Sequence, residues 1–192
     1  RRRTRTVPAF LNKLSIVQFF ARHGESELAT SCLRQLATRG NTEAVFLLAE
    51  QELNGGRIQL AEELFQAVFD QITRMGRNRN RFPNAENSAL AGKALVGLWT
   101  AARRSGDEQR SRELERQIQL CLCTPSVTTR SLIAQYLGEQ GSTAMAIDAY
   151  RTILPVVALG DAENGSLYDV ARQYSTLAYK TEPYEAAHWF DL

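Results

Sequence analysis

The sequence predicts an all-α fold assembled from repeated antiparallel helix pairs, and three observations carry that prediction. Apolar residues recur at a spacing near 3.6 along most of the 192 residues, the mark of helices that bury one face. Alternation with period two never runs long enough to call for a strand. A phrase of apolar, small and glycine positions also returns along the chain, and repetition of this kind belongs to arrays of stacked supersecondary units.

Composition sets the outer bounds. With 44% apolar, 23% charged and 8% aromatic residues, the chain falls among ordinary globular domains and outside the collagen-like, coiled-coil and disordered classes. A chain of this length buries about 70% of its unfolded surface, so it needs neither disulfides nor a structural metal to fold. It is expected to form one domain or one continuous array. Three cysteines are an odd number, which leaves at least one thiol free or paired outside the chain. No window reaches 18 uninterrupted apolar residues, and the first residues lack an apolar signal core. The chain starts at Arg1 without an initiating Met and stops at Leu192 partway through a helix pair, so the natural protein is expected to continue.

The pairs are read in order after a basic tail over residues 1–9. In the first, Ile16, Val17 and Phe20 lie on one helix, Gly24 makes the turn, and Ala29, Leu33 and Leu36 lie on the next. After 32 residues the phrase returns as Leu48, Ala49, Gly56, Ala61, Phe65 and Val68, with only the Phe20 position changed, to Glu52. An apolar residue beside a small one lets two helices approach, and the glycine takes the left-handed cap conformation. Alanine then marks the crossing, and a large residue four positions on fills the space beside it.

The third pair keeps Leu95, Leu98 and Gly106, but Trp99 occupies the small site, while Ser111 and Glu115 occupy the crossing and aromatic sites. Its second helix is therefore expected in a shifted phase led by Leu114 and Ile118. The preceding stretch 76–88, basic and Pro-containing, reads as a connector. The fourth pair is regular: Ile133, Ala134, Leu137, Gly141, Ala146, Tyr150 and Ile153. The fifth carries Tyr174 and Leu177, then Pro183 at a helix start, followed by Ala186, His188, Trp189 and Phe190.

This pattern resembles the tetratricopeptide repeats over roughly residues 10–192. The run from Leu36 to Ala49, with its Gly40-Asn41 turn leading into Glu43-Ala44 and Leu48-Ala49, is similar to the related Sel1-like repeats. The resemblance implies a right-handed superhelical solenoid of about five helix pairs, with the first helix of each pair lining an inner, concave face. Projected onto that register, the groove residues are Gln18, Arg22, Glu50, Asn54, Thr100, Arg103, Arg104, Gln135, Glu139 and Tyr179. Arginine, tyrosine and amides in such positions suit protein or extended-peptide recognition. The resemblance thus implies a non-catalytic scaffold for protein partners. Arg22 to Ala49 also looks similar to bacterial Sel1-like envelope proteins, including scaffolds of alginate-type exopolysaccharide export, which points to the periplasm or envelope.

Two alternatives come from other residues. Net charge is only +2, yet residues 1–24 carry +6, and Arg74 to Pro83 holds Arg74, Arg77, Arg79 and Arg81 without an acid. Arginine forks pair with phosphates, so a nucleic-acid-binding helical repeat is the second reading. Arg22-His23-Gly24-Glu25-Ser26 resembles the signature of histidine phosphatases, in which His23 would be the phosphorylated nucleophile and Arg22 a phosphate ligand. That family needs a second catalytic histidine and a parallel sheet. The only other histidine is His188 in a helical phrase, and Gly24 already serves as the turn glycine of the first pair.

No cofactor or metal is expected. Cys121-Leu122-Cys123 lacks zinc-site spacing, and its two side chains leave a helix in different directions. Neither a P-loop nor a dinucleotide fingerprint is present, and Glu62, Glu63, Glu113 and Glu115 read as solvated helix faces.

Overall fold

The computed structural model describes residues 14–78, 85–123, 126–158, 167–179 and 181–190. They form ten helices: α1 Leu14–Arg22, α2 Ser26–Thr38, α3 Thr42–Asn54, α4 Ile58–Asn78, α5 Ala85–Ser105, α6 Glu108–Leu122, α7 Val127–Glu139, α8 Thr143–Ala158, α9 Leu167–Ala178 and α10 Pro183–Phe190. The described residues contain no strand. The all-α expectation therefore holds. The chain divides into two compact units, residues 1–68 and 69–192, with the boundary inside α4.

Five of the interhelical turns close by one device. Gly24, Gly40, Gly56, Gly106 and Gly141 all sit at φ between 78° and 81°. The residue after each donates its N–H to a carbonyl five positions back: Glu25 to Phe20, Asn41 to Leu36, Arg57 to Glu52, Asp107 to Ala102 and Ser142 to Leu137, at 2.9–3.1 Å. This is the Schellman closure, which needs a left-handed residue and so favours glycine. A Cβ added at any of the five would meet nothing within 4 Å, so the requirement is conformational rather than spatial. Two of the closing residues also start the following helix, because the Asn41 Oδ1 accepts from the Ala44 N–H at 2.9 Å and the Asp107 Oδ1 from the Arg110 N–H at 3.0 Å.

In the first unit α1 packs on α2 and α2 on α3. Val17, Ala29, Leu33, Leu36, Ala44 and Leu48 form the core among these helices. The α4 residues Ala61 and Phe65 are fully buried, and Phe65 meets Phe46 of α3 edge-to-face with ring centres 5.5 Å apart.

In the second unit the pairs are α5/α6, α7/α8 and α9/α10, and α7 also packs against both α5 and α9. Small residues set those approaches: a Cβ on Gly92 of α5 would collide with Ile133 of α7, and one on Gly138 of α7 would press on Leu177 of α9. The shifted phase of the third pair is present, with Leu114 and Ile118 buried and Ser111 and Glu115 only half-buried. Trp99 is buried at the site that other pairs give to a small residue. Tyr150 and Tyr174 are fully buried in the core of the last two pairs. Pro183 opens α10, and the Ser175 hydroxyl donates to the Ala186 carbonyl at 2.9 Å. The last pair closes without glycine, through Glu182 N–H donating to the Ala178 carbonyl at 2.7 Å.

Helices enter the expected connector 76–88 from both sides, α4 to Asn78 and α5 from Ala85. Residues 79–84 and the basic tail over residues 1–9 lie outside the described residues.

Candidate functional site

The ten residues expected to line a groove lie on α1, α3, α5 and α7 and just past α9. Gln18 and Arg22 are exposed on α1, Asn54 is exposed and Glu50 half-buried on α3, and Arg103 and Arg104 are exposed on α5. Gln135 and Glu139 are exposed on α7 and bonded to each other, Gln135 Nε2 donating to Glu139 Oε1 at 2.8 Å across one helical turn. Tyr179, just past α9, is 71% exposed. Arg103 lays its guanidinium over the Trp99 ring at 4.8 Å, which orients the cation and covers an indole face.

Thr100 is a correction. It is buried, and its hydroxyl donates to the Val96 carbonyl at 2.9 Å inside α5. A threonine that bonds back to its own helix satisfies its hydroxyl without solvent, so its polar side chain does not imply a place on an outer face.

His23 lies in the turn after α1. It is exposed, its Nδ1 is 2.8 Å from the Phe19 carbonyl, and its ring stacks on Phe19 with centres 4.1 Å apart. No strand among the described residues holds it. His188 is exposed on α10. Of the second basic stretch, Arg74 is exposed on α4, while the side chains of Arg77, Arg79 and Arg81 lie outside the described residues.

All three cysteines are free. Cys32 and Cys121 are half-buried, Cys123 is exposed, and burial pushes the Cys121 thiol above the usual range. Among the described residues, no three His, Cys, Asp or Glu side chains group to hold a metal ion, and no helix is long and apolar enough to cross a membrane.

The sequence gives no sign of a cleft of about 340 Å³ among α6, α7 and α8. Leu122 of α6 with Met145 and Ala149 of α8 supply its apolar wall, and Arg130 of α7 its positive charge. Gln119, Cys123 and Thr152 complete the lining together with Asp148, whose carboxylate is paired with Arg151 at 3.2 Å. Arg130 is half-buried, and its Nε is shut off from solvent without an acceptor among the described residues.

A second electrostatic feature lies in the turn between α3 and α4. Glu52 is buried, and the Arg57 guanidinium pairs with its carboxylate. The Arg57 hydrogen bond holds that carboxyl below its ordinary range against the opposing effect of burial, with further help from the charges of Arg57 and Arg34.

No known protein family matches the chain, and no curated protein does.

Proposed function

We propose that this chain is a non-catalytic helical-repeat scaffold of the tetratricopeptide or Sel1-like kind, whose pairs stack as a right-handed superhelical solenoid and hold protein partners along their first helices. The observation that carries the reading is recurrence: one glycine closure at five turns, with a buried alanine after three of them, at Ala29, Ala61 and Ala146. Such units bury their faces on neighbours rather than within themselves, which leaves long polar helix faces free for binding. The packing of α7 on both α5 and α9 follows the same logic within the second unit. Arg103, Arg104 and Tyr179 are the exposed residue types best suited to anchor a partner. Similarity of Arg22 to Ala49 to envelope Sel1-like repeats extends the proposal to a bacterial exopolysaccharide export assembly.

The test is comparative capture. The chain and its Arg103→Glu/Arg104→Glu variant are immobilised, exposed to an extract of the source cells, and the retained proteins identified by mass spectrometry. The expected result is a small set of proteins held by the chain and lost from the variant. Equal retention by both, or none by either, rejects the groove.

A further inference from the structure

We propose that the turn from α9 into α10 is an ionic latch: Arg151 of α8 holds the Glu182 carboxylate, and weakening that hold releases α10 from α9 while α8 and α9 stay packed. The device lies within the second unit and does not depend on the partner reading above.

Glu182 is where the connections meet. Its N–H donates to the Ala178 carbonyl at 2.7 Å and closes the turn, and its own carbonyl accepts the Ala186 N–H at 3.0 Å, which begins α10. Its carboxylate takes the Arg151 guanidinium from α8 and, at 3.3 Å, the Tyr174 hydroxyl from α9. One side chain thus ties the start of α10 to both neighbouring helices. No glycine stands in this turn, so charge supplies what backbone conformation supplies at the five glycine bends.

α10 is the element that depends on the latch. With eight residues it is too short to persist as a helix without packing, since isolated helices shorter than about 12–15 residues are marginal in water. Among its side chains whose exposure is described, Ala186 is buried, while Pro183, Tyr184, Ala187 and His188 are exposed. α8, by contrast, sinks Ile147, Tyr150, Ile153 and Leu154 into the core and outlasts the latch.

Salt is the lever. The Arg151 side chain is 38% exposed and that of Glu182 32%, so ions in solution reach the pair. Asp148, one turn back on α8, competes for the same guanidinium at 3.2 Å, which divides the hold on Glu182. Screening reaches inward to about 3 Å at 1 M salt, against about 10 Å at 0.1 M, and so acts at the separation of the paired groups.

Amide hydrogen exchange on the full chain, read by mass spectrometry, tests the latch. In Glu182→Gln and in Arg151→Met, the hydrogen-bonded amides of α10 are expected to exchange about fivefold faster while those of α8 keep their protection. Raising NaCl from about 0.1 M to about 1 M should speed α10 exchange in the unaltered chain and leave both variants unchanged. Equal α10 exchange in the unaltered chain and the variants overturns the latch, as does an acceleration spread evenly over α8 and α10. A salt response that persists undiminished in both variants does the same. So does α10 exchange in the unaltered chain that ignores salt, a measurement that needs no variant and decides the matter if neither variant folds.

Discussion

Arg57 grips Glu52 twice, its backbone N–H donating to the Glu52 carbonyl at 2.9 Å and its guanidinium pairing with the Glu52 carboxylate. The first contact closes the turn between α3 and α4, and the second neutralises the only acid in the buried set of described residues. Backbone geometry and charge compensation therefore rest on one residue.

A pH dependence follows with a definite sign. The folded Glu52 carboxyl lies below its ordinary value, about 4.3 for an unperturbed glutamate. Its contribution is fully present above that ordinary value and is lost as pH falls through the lowered folded one. Melting temperatures of the protein and of Glu52→Gln, measured from neutral to strongly acid pH, should differ by a constant gap at neutral pH that closes in acid. A gap that ignores pH refutes the assignment.

Packing at the helix crossings yields a second expectation. Phe65→Ala removes a fully buried ring and its edge-to-face partner contact with Phe46, at a cost of about 3–5 kcal/mol. Ala61→Leu and Ala146→Leu force bulk into crossings where the alanine is fully buried, at about 1–3 kcal/mol each. Denaturant titration of the three variants measures these losses. Mild effects at all three sites contradict the register.

Gly92 gives a third. An added Cβ would stand 2.6 Å from Ile133 Cγ1 and closer still to Cδ1, so α5 and α7 must part or Ile133 must leave its position. Gly92→Ala should destabilise by about 1–3 kcal/mol. Trimming the opposing side chain with Ile133→Val should cost less in the Gly92→Ala background than alone, a coupling that a double-mutant cycle reads directly. Strict additivity would show that the two helices do not meet there.

Much of this fold was legible because its signals are local. A glycine between two helical phrases marks a turn by its place in the repeat, which makes Gly24, Gly56, Gly106 and Gly141 legible, whereas Gly92 and Gly138 sit inside helices. The crossing alanines and the shifted Leu114 and Ile118 follow from helical period alone. Glu52 broke the repeat in the sequence, and the reason is visible only with its partner: Arg57 arrives from the turn and makes a charge tolerable where Phe20 stands in the first pair. Thr100 misled because residue type reports polarity, not whether a hydroxyl has found a carbonyl in its own helix. The cleft was illegible for a different reason. Its walls come from α6, α7 and α8, and no spacing between Gln119 and Thr152 signals that packing will leave a gap there.

The shared glycine closure has one more consequence. Each of the five turns ties residues only five positions apart, so little chain freedom is lost in shaping any of them, and each is specified without help from distant segments. Each bend can therefore take shape as soon as its own few residues have been joined, before the helices that will later pack on it exist.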